Sequence, residues 1–288
     1  MTTKPVLVVD GLSVFHSCAG PAMRLDNGFT YSFVVQLTSA IKKTNPKGII
    51  VCWDRESKRR LEIHPGYKAD RPSSMNDTKR KYLEDVKRFL TAVGADQFHA
   101  EGFEADDVGA MFANTLEAAV LVSNDKDWLQ LVRPEVSVLA RCRKEGKKSE
   151  KKLITTSNFA ELTGWSSPEE LVKGLCAMGD DVDKVDGLYG VGDGIVKAYL
   201  LGMKISDRKK EILDEFFSGH PLYLRNRSLI ELRDIREIPN LQMTPGQFDE
   251  DKVRSLLEEF GFASMLKNFP EWVRPYKEAQ VADVSAVS

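Results

Sequence analysis

Three short aliphatic runs constrain this chain more than any other feature, because each is followed at once by a carboxylate. They are residues 6–9 (VLVV), 49–53 (IIVCW) and 120–123 (VLVS), and they lead into Asp10, Asp54 and the pair Asp125 and Asp127. Runs this short and rich in β-branched residues, with helical periodicity between them, read as buried strands of a mostly parallel sheet in an α/β fold. Helices are expected at residues 31–43, where Phe33, Leu37, Ala40 and Ile41 share a face, and at residues 77–93, where Tyr82, Val86, Phe89, Leu90 and Val93 do. Another is expected to begin near Glu104. Beyond about residue 155 the strand signals fade. Helical patterns follow at residues 168–177, 194–201, 207–217, 222–232 and 251–260, so the second half reads as all helical, and residues 277–288 read as a frayed tail.

Ligands of open parallel sheets bind where strands end, so Asp10, Asp54, Asp125 and Asp127 are expected on one rim. Glu104, Asp106 and Asp107, which open the helix before the third strand, are expected to join them. Carboxylates that converge repel one another, and divalent cations relieve the repulsion; an all-oxygen donor set selects Mg²⁺ or Mn²⁺ over zinc. Taken singly, each acid reads equally well as a helix cap. A further group, Asp180, Asp181, Asp183 and Asp186, precedes Gly187, Gly190, Gly192 and Gly194. No strand precedes these glycines, which argues against a dinucleotide fingerprint. They read either as a plain tight turn between helices or as open backbone amides suited to a phosphodiester.

The 288 residues are 42% hydrophobic with a net charge of −2, enough for a sizeable core and no uniformly basic coat. No apolar run approaches the roughly 18 to 20 residues of a membrane span. Cys18, Cys52, Cys142 and Cys176 lie far apart with no CxxC spacing, which points to a reducing, cytoplasmic setting and away from a thiolate zinc site. The charges are segregated. Residues 55–88 carry eleven Lys and Arg against six acids, and residues 141–152 carry seven against two. Residues 101–127 carry seven acids against one Lys, and residues 180–193 five against one. Such separation suits a protein that grips a polyanion in one place and holds cations in another, although charge runs are as often solvated helix faces. His16, His64, His99 and His220 are too scattered to form a catalytic base.

The motifs VVDG (residues 8–11), WDR (53–55), YKADR (67–71), GFEADD (102–107), SNDKDWLQLV (123–132) and MGDDVDKVDGLYGVG (178–192) stand in an order that resembles the 5′-nuclease family. That family comprises bacteriophage 5′-exonucleases, flap endonucleases and the 5′-nuclease domain of bacterial DNA polymerase I. KVRSLLEEFGFASMLKNF, within residues 251–269, is similar to the end of the polymerase I nuclease domain, and the absence of polymerase sequence suggests a free-standing enzyme.

The resemblance implies a PIN-like α/β core over residues 1–176, with a helical arch at about 55–90. A helix-three-turn-helix region for duplex DNA would occupy 177–275, and a flexible tail 276–288. It implies a first metal cluster of Asp10, Asp54, Glu104, Asp106 and Asp107, and a second of Asp125, Asp127, Asp180 and Asp183. Two Mg²⁺ or Mn²⁺ ions roughly 4 Å apart would activate water and stabilise the leaving oxygen. Lys68 and Arg71 would engage the scissile phosphate and Tyr67 would stack on a nucleotide. Gly187, Gly190, Gly192, Gly194 and Lys197 would contact DNA, and the same turn would hold K⁺. The implied enzyme is a cytoplasmic monomer that acts on DNA with 5′ ends or flaps and on RNA–DNA hybrids. Lys184, Asp186 and Gly194 depart from the family's usual asparagine, proline and lysine, which bears on duplex grip and on K⁺. The basic run at residues 141–152 is expected to be a mobile loop lying along DNA. A catalytically silent DNA-binding protein that keeps the fold and a PIN-type ribonuclease are the rival readings; an Asp-x-Asp phosphatase is excluded by Leu12.

Overall fold

The computed structural model describes residues 3–18, 27–69, 75–142 and 150–280. In chain order the first half forms β1 (Val6–Asp10), α1 (Gly11–His16), α2 (Gly28–Thr44), β2 (Gly48–Cys52), α3 (Lys58–Ile63), α4 (Asp77–Ala92), β3 (Asp96–His99), α5 (Ala105–Thr115), β4 (Ala119–Val122), β5 (Val136–Cys142) and β6 (Glu150–Ile154). The second half adds α6 (Phe159–Thr163), α7 (Pro168–Met178), α8 (Asp193–Leu200), α9 (Asp207–Phe217), α10 (Pro221–Ile230), β7 (Gln242–Thr244), α11 (Glu250–Glu259), α12 (Ala263–Leu266) and α13 (Phe269–Glu278). A 3-10 turn, Lys126–Leu131, follows β4.

The strands form one sheet in the order β6-β5-β4-β1-β2-β3-β7. The five inner strands are parallel, and β6 and β7 pair antiparallel at the two edges. The three runs read from the sequence are β1, β2 and β4, side by side in the centre. Their unbroken apolar character follows from burial on both faces. Val6 and Val8 of β1 with Ile50 and Cys52 of β2 pack under α5 and α7. Leu7 and Val9 with Ile49 and Val51 pack under α2, α4 and α11 to α13. The chain moves from β1 outward to β2 and β3, then crosses to β4 on the other side of β1. The crevice at the β1–β4 junction is therefore the switch point where α/β sheets bind ligands.

Three expectations need correction. The second half is not all helical, since β7 closes one sheet edge; all three of its residues are exposed, so burial leaves no apolar signal. The expected tail does not begin at residue 276: Tyr276 of α13 is fully buried, and its hydroxyl lies 2.7 Å from that of Thr38 on α2. Helices α11 to α13 thus belong to the core, as does α4, whose Val86, Phe89 and Leu90 are buried there, although residues 77–90 were assigned to the arch. The basic run at 141–152 begins in β5 and ends in β6, while residues 143–149 lie outside the described residues. Among the described residues no helix is long and apolar enough to cross a membrane.

Replacing Tyr276 with Ala removes a buried ring and should cost about 3–5 kcal/mol in urea unfolding. Replacing it with Phe, which forfeits only the hydroxyl contact, should cost about 1 kcal/mol.

Candidate active site

Asp10 ends β1 and caps α1, accepting the Ser13 N–H at 3.0 Å. Its other oxygen accepts the Ser123 hydroxyl at 2.7 Å, a bond that ties the ends of β1 and β4 across the switch point. Ser123 in turn accepts the Asp125 N–H, and Asp125 accepts the N–H of Asp127. Asp54, just past β2, accepts the Ala105 N–H at the start of α5. The strand-end carboxylates are therefore held by hydroxyls and amides that carry no net charge, and they feel one another. Burial, then Asp54, pushes the Asp10 carboxyl well above the usual carboxylate range. Burial, with Asp106 and Glu104, pushes Asp54 up to about 6. Burial also raises Asp125, with Asp106 and Asp183 adding to it, and raises Asp127 well above its ordinary value, with Asp125 and Asp106 adding.

The acids at the head of α5 have a different environment. Arg60 of α3, 1% exposed, donates to Glu104 at 2.9 Å, to Asp106 at 3.0 Å and to both oxygens of Asp107 at 2.8 and 3.1 Å. Its Nε–H donates to the Leu229 carbonyl of α10. Both Asp107 oxygens are occupied, one also by Arg59 and the other by the Glu104 N–H, so Asp107 serves the Arg60 cluster. Tyr67, expected on a nucleotide, is 7% exposed and donates its hydroxyl to Glu104 at 3.1 Å. Burial raises the Tyr67 pKa, so the phenol stays protonated and remains a donor. Lys68 donates to Glu104 at 2.6 Å and reaches within 3.9 Å of Asp183. Arg71 lies outside the described residues.

The group at residues 180–186, which the sequence alone could not place, lies on the same rim. Asp106, Asp127, Asp180 and Asp183 line one small cleft with Arg60, Tyr67 and Lys126. Lys126 donates to Asp180 at 3.0 Å. Burial works to raise the Asp180 carboxyl, and Lys126 outweighs it, so the net shift is downward. The Lys68 N–H donates to the Asp183 carbonyl and a ring nitrogen of His64 meets the Lys184 carbonyl, docking the loop after α3 onto this turn. Lys184 has φ +59°, a left-handed conformation that asparagine tolerates better than lysine.

Among the glycines, Gly187 is packed so closely on the Met178 carbonyl that a Cβ would stand 2.1 Å from it, so its role is structural. Gly190 has φ +72°, whereas Gly192 and Gly194 face open space. The Lys197 ammonium, expected at a phosphate, sits 4.8 Å from the centre of the Trp165 ring. Among the described residues no three acids, histidines or cysteines stand close enough to hold a metal ion as placed. Arg60, Lys68 and Lys126 stand on Glu104, Asp106, Asp107 and Asp180 and partly neutralise that side of the rim. The donor set still fits divalent ions. Asp10, buried, and Asp54 and Asp127, half-buried, are oxygen donors whose carboxyls neighbouring acids raise; Asp125 beside them is exposed, and the Lys126 side chain on Asp180 is half-exposed.

Sequence reasoning missed Arg60, Ser123 and Lys126. Ser123, between an apolar strand and two aspartates, carried a readable signal, while Arg60 was hidden in a run of basic residues. Arg60→Gln strands three acids and should cost about 3–5 kcal/mol by chemical denaturation. Lys184→Asn should instead raise stability, by up to about 1 kcal/mol, by relieving the left-handed strain.

Residues 5–164 match the family model described as the 5′-3′ exonuclease, N-terminal resolvase-like domain. A 5′-3′ exonuclease of Aquifex aeolicus is 29% identical over 283 residues, covering 89% of this chain and 95% of that protein. The DNA polymerase I of Mycobacterium leprae is 26% identical over 287 residues, but the chain spans only 31% of that protein. The flap endonuclease of bacteriophage T5, solved with DNA and metal ions, has a TM-score of 0.62 at 18% identity, covering 89% of this chain and 99% of that one. With the family model covering more than half of its length, this chain belongs to the 5′-3′ exonuclease family.

Proposed function

We propose that this protein hydrolyses phosphodiesters at or near the 5′ ends of DNA strands, as an exonuclease and flap endonuclease that depends on two Mg²⁺ or Mn²⁺ ions. The observation that carries this reading is the gathering of Asp10, Asp54, Asp125 and Asp127 past the ends of β1, β2 and β4, Asp10 buried, Asp54 and Asp127 half-buried and Asp125 exposed, with no basic side chain among their hydrogen-bond partners in the described residues. The family, and the exonuclease name of the Aquifex relative, support it.

The residues that would hold one ion are Asp10, Asp54, Glu104 and Asp106; those that would hold the other are Asp125, Asp127, Asp180 and Asp183. When bound, the ions lower the pKa of the attacking water and stabilise the leaving 3′ oxygen. Lys68, between Glu104 and Asp183, offers its ammonium to the scissile phosphate, and a fixed cation there favours the charge that grows in the transition state. Arg60 and Tyr67 hold Glu104 still and Asp107 anchors Arg60, so none of these three needs to touch substrate. The amides exposed by Gly192 and Gly194 at the start of α8 suit phosphates of the duplex beyond the cut. RNA in RNA–DNA hybrids is a further substrate, K⁺ a further ligand of the 187–194 turn, and the working form a cytoplasmic monomer.

End-labelled flap, nicked, blunt and single-stranded DNAs incubated with Mg²⁺ test the reading. The wild type should release short 5′ products and Asp127→Asn should lose orders of magnitude in rate. Mn²⁺ should raise the Tm of the metal-stripped wild type, and that of Asp127→Asn far less. Retained cleavage by Asp127→Asn would sink the assignment of the second group.

A further inference from the structure

The edge hairpin of β5 and β6 sets two cations against each other. Arg141 and Lys151 are direct partners across its antiparallel ladder, a position at which like charges destabilise a sheet. Both share a face with Leu139 and Leu153, which pack into the core on the α2 side. The two side chains then part company. Arg141 is exposed, whereas the Lys151 ammonium nitrogen is fully buried and has no hydrogen-bond partner among the described residues. A buried ammonium without an acceptor is costly, and native structures keep very few.

The surroundings offer it no counter-charge. The Lys43 ammonium of α2 donates to the Lys151 carbonyl at 2.8 Å, which brings a third cation to the hairpin. Cys18, just past α1 and 4% exposed, is the other titratable neighbour. Its thiol donates to the Val14 carbonyl at 3.2 Å and accepts from the Gln36 amide at 3.1 Å. Burial pushes the Cys18 thiol up to about 11, so it stays neutral. Burial, then Arg141, lowers the Lys151 ammonium to about 8, with Cys18 opposing. Roughly a tenth of the amine is therefore unprotonated, and nucleophilic, at about pH 7.

Three changes would relieve such an amine, and they differ in what they do for Arg141. Loss of the proton alone leaves N–H donors unpaired. Acylation removes the charge but leaves the arginine without a partner, and its donors are too bulky to reach a buried nitrogen. Carbon dioxide is small and uncharged, and its adduct is an anion. We propose that Lys151 is a carbamylation site, which takes up carbon dioxide reversibly and then pairs with Arg141 across the strands. The ammonium gives one proton to water. The nitrogen lone pair then bonds the carbon as one C=O electron pair moves onto oxygen, and the nitrogen gives up a second proton. Amine and carbon dioxide thus become a carbamate and a proton, with no oxidation or reduction. The cross-strand pair changes from repulsive to attractive, which fastens β6 at the sheet edge. The site shares no residue with the acid rim and does not rest on the nuclease reading.

The test holds the full chain near pH 8 in bicarbonate, and in carbon-dioxide-free chloride buffer of equal ionic strength. Triethyloxonium ion alkylates a carbamate and fixes it for peptide mass spectrometry, and isotopically heavy carbon dioxide marks where its carbon came from. The wild type in bicarbonate should carry the trapped, isotope-shifted adduct on Lys151, and its Tm should rise by roughly 2 °C over chloride. Lys151→Arg keeps the positive charge and cannot form the adduct, so its Tm should not respond to bicarbonate. Arg141→Gln should trap about threefold less at Lys151, because the anion loses its partner and the amine regains its proton. An unmodified Lys151, or label confined to other lysines, overturns the proposal. An equal rise in Tm for Lys151→Arg overturns it too, since bicarbonate then acts elsewhere, and an unchanged yield in Arg141→Gln overturns the pairing. Should Lys151→Arg fail to fold, the adduct map of the wild type decides alone.

Discussion

The Arg60 guanidinium is the interaction on which the rest of the rim depends. Taking a guanidinium and three carboxylates out of water carries a desolvation cost of several kcal/mol per ion, and only close, multiply bonded geometry offsets it. Here the geometry is of that kind: four bonds of 2.8 to 3.1 Å to Glu104, Asp106 and Asp107, and a fifth to the Leu229 carbonyl. Hydrophobic residues of equal volume would stabilise a core as well, so what the cluster contributes is placement. It fastens α3 to the head of α5 and to the end of α10. The Lys68 loop, the acids and the helices beyond the turn thereby share one anchor.

The cations of the rim fall into two kinds, separated by exposure. Arg60, its side chain 2% exposed, is held by its acids. Lys126 is half-exposed and Lys68 about a quarter exposed, and each holds a carboxylate nearer to solvent than Arg60 does. The protein is therefore not a cage held open by unrelieved repulsion, as the acid positions alone suggested.

The sheet was legible where burial imposed a pattern and illegible where it did not. β1, β2 and β4 are covered on both faces, and their apolar runs announced both the strands and the acids after them. β7 is wholly exposed, β6 carries the residues EKKLI that read as part of a basic run, and β3 begins with Asp96. α13, not expected from the sequence, nonetheless carries a readable signal, since Phe269, Val273 and Tyr276 follow the i, i+4, i+7 spacing and are all buried. Nine acids were identified, and eight of them reach the rim as oxygen donors not already fully taken. The exception, Asp107, looks like its neighbours in sequence, and its separate role depends on an arginine 47 residues earlier. Local pattern cannot show a partner at that separation.

The same limit explains why the Asp180 group could be joined to the others only by resemblance. Its link to the rim is made of long-range bonds: the Lys68 N–H to the Asp183 carbonyl, a His64 ring nitrogen to the Lys184 carbonyl, and the Lys126 ammonium to Asp180. Both lysines at the first two contacts adopt left-handed backbone, φ +54° at Lys68 and +59° at Lys184. Two left-handed lysines, one at each of two adjacent contacts, indicate that the docking, not local preference, sets their conformation. The turn that presents the open amides is continuous with Lys184, and the ammonium aimed at the acids belongs to Lys68. The turn is thus tied to the loop that carries Lys68 by one backbone hydrogen bond and one side-chain hydrogen bond.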